Sequence, residues 1–507
     1  MLRQTSLDAL GERVAAVNDV LNAISVLTWD SRTMMPAGGA ETRGHQIATL
    51  TRLARDLLLA PETEAALAEA EAAVEALPED APERRMVAQT RHAFEHHRRV
   101  PASLIQERAA LRTLAQAAWI EARATGDFPL FAPYLARTVE LSRAYADCIG
   151  WSEHPYDALV SIYEPGETAA GLKRLFATLR ESLQPILDAA RARPAPRSDF
   201  LFGDFPEEAQ KAFGLSMAET LGYDLGRGRL DTTVHPFEVS FTRNDVRITT
   251  RYTRNYLPAS LFGTAHEVGH GLYEQGVDPA YTRTALATDL VGLYAVGGTS
   301  FGAHESQSRL WENHVVRSRA FWELHVPELR RRFPGQLGDV SAEAFYRAVT
   351  RIEPGLIRVE ADELTYDFHI MMRTDLECAL MDGSLQVADL PAAWNAAIRR
   401  DLRLDVPDDS RGVLQDVHWS TGYIGSFPTY TIGNVMAAQV MDTLRGQDPA
   451  IDASIAAGNY AVLAEALRTR IWRHGRRFGR DELLVRETGR GLDPAPYFAY
   501  LKGKYAG

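Results

Sequence analysis

The sequence is poor in cysteine and has no long apolar run. Only two of its 507 residues are cysteines, Cys148 and Cys378. Two thiols exclude a disulfide framework and a cysteine-based zinc finger, and they favour a reducing compartment. No stretch approaches the roughly 18 apolar residues of a membrane span, and the N-terminus lacks the apolar segment of a secretory signal. We therefore expect a cytoplasmic protein with no membrane role.

The chain also has fewer basic than acidic residues. The chain has 55 Lys and Arg against 67 Asp and Glu, which gives a formal net charge of -12. Nucleic-acid binding requires a basic face, so we expect no nucleic-acid partner. Hydrophobic residues make up 46% and charged residues 24%. This ordinary globular composition excludes disordered, collagen-like and coiled-coil proteins.

Most of the chain has the apolar periodicity of α-helices. The segments that we predict as helical are residues 6–27, 62–77, 83–124, 130–149, 168–192, 206–223, 341–352, 435–445, 450–470 and 480–488. Residues 229–253 alternate instead and are rich in Thr, Val, Ile and Phe, which predicts two or three strands with a turn at Asn244-Asp245. No linker or repeat divides the chain. We expect a mainly α protein with a small β-sheet and one domain over residues 1–507, or alternatively two lobes around a groove.

The sharpest chemical signal is the H-E-x-x-H pattern of residues 266–270. On a helix, His266 and His270 share a face and can bind one Zn²⁺ together, while Glu267 lies beside the reacting water. The alternative is a pair of core histidines with local hydrogen bonds. Gly269 and Gly271 each cost a helix about 1 kcal/mol. Close approach of a backbone, a substrate or a packed helix would explain them.

A catalytic zinc site needs a third protein ligand. Glu305 could complete a His-His-Glu set, and its neighbour His304 could ligate instead or steady the site. Three other carboxylates are within reach in sequence: Glu274, Asp289 and Glu312. Spacing alone does not choose among them.

These motifs belong to an ordered series. The series is His235-Pro236-Phe237, D-x-R-x-T at 245–249, H-E-x-x-H at 266–270, His304-Glu305-Ser306-Gln307, I-R-x-x-A-D at 357–362 and G-x-x-Q-D-x-H-W at 412–419. With it, the chain resembles the Taq-type thermostable carboxypeptidase 1 family of metallocarboxypeptidases over essentially its whole length. The resemblance implies a mostly helical fold with a deep groove, the sheet near the active site, and a homodimer. It also implies Zn²⁺ or Co²⁺ on His266, His270 and Glu305, and release of single amino acids from peptide C-termini with broad specificity.

The expected mechanism needs a base, donors for the transition state and an anchor for the C-terminal carboxylate. We predict Glu267 as the general base toward a metal-activated water. Tyr423, Tyr430 and His418, in and after the last motif, are the candidate transition-state or substrate contacts, with simple packing as the alternative for the tyrosines.

Arginine suits a bidentate grip on a carboxylate. Arg358 and Arg247 are therefore the candidate anchors, with Arg358 slightly ahead, although Asp362 at i+4 offers Arg358 an internal ion pair. His235 and Gln415 are further candidate substrate-binding residues. Partners for the metal histidines are expected from this set: Asp245, Asp362, Gln415 and Asp416.

One departure from the family is expected between His270 and His304, where extra residues around 288–300 would alter a cleft wall or a subunit contact. Two alternative functions stay open. One is an endopeptidase or dipeptidase on the same scaffold. The other is a non-catalytic scaffold with a structural metal, which the presence of Glu267 and the absence of nearby cysteine disfavour.

Overall fold

A computed structural model describes residues 2–506, with only the backbone for residues 2–4. It confirms a mainly α fold with one small sheet. The α-helices are α1 (Leu2–Thr33), α2 (Ala40–Leu58), α3 (Pro61–Val74), α4 (Pro82–Arg99), α5 (Ala102–Thr125), α6 (Phe128–Ile149), α7 (Pro155–Tyr163), α8 (Ala169–Arg191), α9 (Glu207–Leu221), α10 (Pro258–Gly276), α11 (Phe301–Arg309), α12 (Arg319–Arg332), α13 (Pro334–Leu337), α14 (Ala342–Val349), α15 (Tyr366–Asp382), α16 (Leu390–Leu402), α17 (Pro428–Gln447), α18 (Ala450–Ala456), α19 (Ala461–Arg470), α20 (Arg480–Thr488) and α21 (Ala495–Tyr505). Within residues 2–506, no helix combines the length and apolar character that a membrane crossing demands.

Proline explains where a predicted helix divides. Residues 83–124 were expected to be one helical stretch, but the structure ends α4 at Arg99 and begins α5 at Ala102. Pro101 lies between them with an extended ψ of 140°. It lacks an N–H and disfavours helical geometry at the preceding residue, so the chain turns there.

The sheet has three strands in the order β1-β3-β2. They are β1 (Gly228–Thr232), β2 (Glu238–Thr242) and β3 (Asp245–Thr250). β1 is parallel to β3 and β2 is antiparallel to it. The turn between β2 and β3 falls at residues 243–244, one position earlier than expected. Pro236 lies between β1 and β2, outside the sheet ladder, to which proline cannot donate.

The described residues form two compact units. The first comprises residues up to His97, Pro196–Val349 and Met436–Asp493. In its core, α10 packs against α9, α11 and β3, so the H-E-x-x-H helix has neighbours on several sides. The second unit comprises Arg98–Ala195, Thr350–Val435 and the residues from Pro494 onward. The single catalytic domain over 1–507 stays a prediction.

Candidate active site

The helix α10 carries the two histidines of the H-E-x-x-H pattern. It begins with Pro258 at its first position, where a missing N–H costs nothing, and it ends at Gly276. Most of its residues are buried. One helical turn separates His266 from His270, and their ring centroids lie 4.9 Å apart with nearly perpendicular planes. Both imidazoles therefore face the same side of α10.

Gly269 allows α11 to approach α10 closely. A Cβ atom at this position would lie 2.5 Å from the carbonyl oxygen of Gln307 and 2.6 Å from the Cα of Ser308. The predicted close approach of a backbone is therefore confirmed. At Gly271, a Cβ would lie 2.8 Å from the ring of Tyr223. Both glycines are packing sites, and the first brings Glu305 beside the histidines.

Glu305 is the carboxylate that meets both histidines. Its Oε2 lies 3.4 Å from Nε2 of His266 and 3.3 Å from Nε2 of His270. The three possible ligand atoms lie within 4.8 Å of one another, and this is the one such group found within residues 2–506. Ligands about 2.0–2.1 Å from a tetrahedral Zn²⁺ stand about 3.4 Å apart, so the donor set and its spacing fit this ion.

Glu305 is itself held in place by its own helix. Nε of Arg309, one turn later, lies 2.7 Å from Oε1, and the hydroxyl of Ser308 donates to Oε2 at 3.0 Å. Burial opposes ionisation, but the positive charges of His266 and Arg309 hold the pKa of Glu305 well below its usual range. The carboxylate is thus ionised and oriented, as a metal ligand must be.

The other ring nitrogen of His266 also has a carboxylate partner. Nδ1 donates to Oε2 of Glu312 at 3.0 Å. Arg317 contacts Oε1 of the same carboxylate at 3.0 Å. Glu312 lies in a π-helix, Leu310–Val316, and the N–H of Arg317 bonds to the carbonyl of Glu312 five residues earlier at 2.8 Å. Glu312 therefore orients His266 rather than joining the three-atom group.

The remaining alternative ligands have other partners. Nε2 of His304 lies 3.0 Å from Oε1 of Glu274. Asp289 accepts the N–H groups of Val291 and Gly292 in the loop after α10. Of the acidic candidates between residues 274 and 312, only Glu305 joins the two histidines in the three-atom group. Spacing in the sequence could not make this distinction.

Burial dominates the ionisation of this site. Glu267 is 5% exposed, and its Oε2 has no hydrogen-bond partner within residues 2–506. Burial raises the pKa of Glu267 to about 8, and the nearby Glu238 and Glu305 carboxylates act in the same direction. Burial and the charge of His304 lower the pKa of His270 to about 3. Burial would also lower the pKa of His266, but Glu305 outweighs it and raises that pKa to about 10.

Comparison with known proteins agrees with this geometry. The sequence model of the family described as carboxypeptidase Taq (M32) metallopeptidase matches residues 9–505. The chain belongs to this family. A curated relative, thermostable carboxypeptidase 1 of Thermus thermophilus, is 41% identical over 95% of this chain and 94% of its own. Carboxypeptidase 1 of Bacillus subtilis is 35% identical over 96% and 95%. The crystal structure of an M32 carboxypeptidase from Deinococcus radiodurans R1 superposes with a TM-score of 0.94 at 41% identity, covering 99% of both chains.

As an M32 family member, the protein is a metal-dependent carboxypeptidase, which is a peptide hydrolase. The alternative of a non-catalytic scaffold with a structural metal is thereby excluded. The family assignment also confirms the resemblance inferred from the ordered motifs.

The second unit contains the predicted residues of the last two motifs, together with Tyr423 and Tyr430. Arg358 does not pair with Asp362, whose oxygens instead accept backbone N–H groups. The guanidinium of Arg358 donates to Asp416 at 2.9 Å and to the hydroxyl of Tyr366 at 2.9 Å. Arg373 contacts the other oxygen of Asp416 at 2.7 Å. Burial opposes ionisation, but these two arginines hold the pKa of Asp416 far below its usual range.

Gln415, His418 and Tyr430 lie around this ion pair. Gln415 accepts the N–H of Arg358 at 2.9 Å and donates to three backbone carbonyls, so it fixes the loop rather than facing outward. Nε2 of His418 lies 3.2 Å from the hydroxyl of Tyr430. Burial and the charge of Arg358 lower the pKa of His418 to about 3, so the ring is neutral. Tyr423 lies on the same segment, with the guanidinium of Arg112 5.6 Å from its ring.

The two remaining candidates lie in the first unit, near the sheet. Arg247, on β3, makes two hydrogen bonds to Asp245 at 2.9 Å, and its guanidinium lies 4.6 Å from the rings of Trp29 and Phe241. His235 is exposed in the segment between β1 and β2. The predicted partners of the metal histidines are therefore wrong. Asp245, Asp362, Gln415 and Asp416 all bind other groups, and Glu312 partners His266 instead.

Sequence reasoning missed three members of the site. Arg309 and Arg317 hold Glu305 and Glu312, and the i+4 spacing of Arg309 from Glu305 was a usable signal. Glu238, on β2, has an Oε2 that lies 4.0 Å from Nε2 of His304. No local pattern marks Glu238, because only the sheet brings it to the histidines.

Proposed function

We propose that this enzyme releases single amino acids from the C-termini of peptides with broad specificity, using Zn²⁺ bound by His266, His270 and Glu305. Co²⁺ is the expected substitute. The observation that carries the proposal is the placement of two imidazole nitrogens and one carboxylate oxygen around one point, with the buried Glu267 on the same helix. When bound, Zn²⁺ supplies Lewis acidity, which polarises a carbonyl oxygen and lowers the pKa of water toward neutrality.

Glu267 is proposed as the general base. Its carboxylate takes a proton from the attacking water and returns it to the leaving amine. Two features of its surroundings support this role. Its Oε2 has no hydrogen-bond partner within residues 2–506, so it is not committed to another protein group. Its raised pKa, about 8, is in the range where a group both accepts and returns a proton near neutral pH.

Arg358 is proposed as the anchor for the substrate carboxylate, ahead of Arg247. Asp416 and Tyr366 hold the Arg358 guanidinium in a fixed orientation, and a pre-oriented planar donor suits a carboxylate. The ring of Tyr430 lies 5.3 Å from the same guanidinium. Arg247 also binds an aspartate, Asp245, through Nε and Nη2, and it stays the second candidate.

His418, Tyr423 and Tyr430 are proposed as contacts to substrate or to the developing oxyanion. A neutral imidazole and phenolic hydroxyls are donors that stabilise negative charge without a net charge of their own. The hydrogen bond between His418 and Tyr430 supports a joint role, because one orients the other. His235 and Gln415 are proposed to support substrate binding, the latter through the loop that it fixes around Arg358.

The test is mass spectrometry of peptide digests. Wild-type enzyme with Zn²⁺ or Co²⁺ should produce a ladder that shortens one residue at a time from the C-terminus, and chelated enzyme should not. Glu267→Gln should bind metal normally and give no ladder. A peptide with an amidated C-terminus should resist cleavage. Undiminished cleavage of that peptide would contradict the carboxylate anchor, and internal fragments would favour the endopeptidase alternative.

A homodimer in the cytoplasm completes the proposal. Two cysteines without a disulfide support a reducing compartment. The family resemblance supports the dimer. Light scattering on the purified enzyme should give twice the mass of one chain, and a monomer mass over a range of concentrations would refute the dimer.

A further inference from the structure

The two histidines on α10 differ in the hydrogen bonding of their Nδ1 atoms. Nδ1 of His266 donates to Glu312. Nδ1 of His270 is buried and has no hydrogen-bond partner within residues 2–506. Metal-bound histidines almost always rely on such a partner to fix the orientation of the ring. The orientation of His270 therefore needs another cause.

A stack of aromatic rings lies against His270. The ring of His304 is 4.5 Å from that of His270, with the planes only 19° apart. His304 also stacks on Tyr273 at 5.4 Å and 18°. The ring of His304 is therefore stacked with both rings. Its position decides which plane His270 can adopt.

His304 is in turn fixed by a buried carboxylate. Its Nε2 lies 3.0 Å from Oε1 of Glu274. The same carboxylate accepts the N–H of Gly297 at 2.9 Å and that of Gly298 at 3.0 Å. The carbonyl of Gly298 is bound by Arg476 at 2.5 Å. The loop before α11 thus holds Glu274, and Glu274 holds the His304 ring.

Gly298 also sets the place of the ring by contact. A Cβ at this position would lie 2.6 Å from Cδ2 of His304 and 3.2 Å from its Cβ and Cγ. The backbone therefore touches the ring edge, and any side chain there would push the ring out of the stack. The loop that the sequence suggested as an insertion therefore lies against His304, the neighbour of His270.

We propose that His304 is a positioning residue that fixes the ring plane of His270 by stacking, with Glu274 and the Gly297–Gly298 backbone as its anchor. The stack takes the place of the hydrogen bond that His266 donates to Glu312. This inference rests on the proposed metal site at His266, His270 and Glu305. It assigns His304 no bond to the metal, which separates it from the alternative that His304 is itself a ligand.

The experiment measures Co²⁺ binding and the visible absorption spectrum of the Co²⁺ enzyme, which reports ligand geometry independently of activity. The variants are His304→Ala, His304→Phe and Gly298→Ala. Both substitutions at 304 remove the bond to Glu274 equally, so their difference isolates the ring. The matched control is His325→Ala, because the ring of His325 also lies close to an aromatic ring, Phe321 at 4.1 Å, and bonds to a buried side chain, Tyr460 at 2.9 Å.

His304→Ala should weaken Co²⁺ binding by about 10–100-fold and alter the spectrum. His304→Phe should lose less than about tenfold, because the stack survives. Gly298→Ala should alter the spectrum with all ligands present, which keeps the test valid if the His304 variants fold poorly. His325→Ala should match wild type in both readouts.

Three results would overturn the inference. Wild-type spectra and affinities in His304→Ala and Gly298→Ala would show that the stack has no effect. Equal losses in His304→Phe and His304→Ala would show that the imidazole nitrogens of His304 matter, through Glu274 or the metal, and that ring stacking does not. If wild-type enzyme bound no Co²⁺, or bound it equally after His266→Ala, the proposed function itself would fail. The other two results would leave the proposed function intact.

Discussion

The contact between α10 and α11 at Gly269 makes the sharpest prediction. Gly269→Ala adds one methyl group that would lie 2.5 Å from the Gln307 carbonyl oxygen and 2.6 Å from the Ser308 Cα. These are backbone atoms, which cannot rotate away. Ordinary contact begins near 3.4 Å, so the two helices must separate by about 0.9 Å, which is 3.4 minus 2.5.

That separation has two consequences. Overpacking of this kind costs roughly 1–3 kcal/mol of unfolding free energy. The metal centre should also be distorted, because His266 and His270 lie on one helix and Glu305 on the other. Metal–ligand distances tolerate only about 0.2 Å. We expect a stable protein whose Zn²⁺ affinity and peptidase activity fall by at least about tenfold.

The assay pairs this variant with Gly263→Ala on the same helix. A Cβ at Gly263 would meet only Thr250 at 3.7 Å and Pro236 at 3.8 Å, which is ordinary contact. It should leave metal binding unchanged and stabilise the protein by up to about 1 kcal/mol through helix propensity. Urea unfolding and chelator competition report the two quantities. Equal metal affinity in both variants would refute the reasoning.

Three further predictions concern buried carboxylates. Glu312→Gln should weaken Zn²⁺ binding by about 10–100-fold in chelator competition, because His266 loses its charged partner; unchanged affinity would contradict this. Asp416→Asn should cost about 3–5 kcal/mol in urea unfolding at pH 7, since it leaves Arg358 and Arg373 unpaired. The pKa of Asp416 is lowered in the folded wild-type protein. The difference in stability between wild type and Asp416→Asn should therefore be constant above pH about 4 and shrink below it. Burial raises the pKa of Glu377 to about 7, so its ionisation should contribute a loss of about 3 kcal/mol of wild-type stability between pH 4 and 8, and Glu377→Gln should remove that contribution; parallel curves would be evidence against it.

Local patterns predicted the parts of the site that depend on one helix. The i, i+4 spacing placed His266 and His270 on one face, and Gly269 signalled a close neighbour. Ordered motifs led to Glu305, although spacing alone left Glu274, Asp289 and Glu312 as equals. The structure distinguishes Glu305 because the packing of α10 on α11 depends on both helices, which no single segment encodes.

Other errors arose where tertiary partners compete with local ones. Asp362 at i+4 was a reasonable ion-pair partner for Arg358, but its oxygens accept the N–H groups of Leu364 and Thr365. Asp416, 58 residues further along, takes Arg358 instead. Among helix boundaries, Pro101 was visible in the sequence, and its effect on the predicted 83–124 segment was underestimated.

The π-helix at Leu310–Val316 has a consequence for how the gene can change length. Its backbone bond from Arg317 to Glu312 spans five residues, and the Arg317 side chain returns to the Glu312 carboxylate. Deleting one codon between them would let the turn close as an ordinary α-helix, with the arginine four positions after its carboxylate instead of five. Since all seven residues of the turn are buried, the gene is constrained there in the number of codons as well as in the residues that they encode.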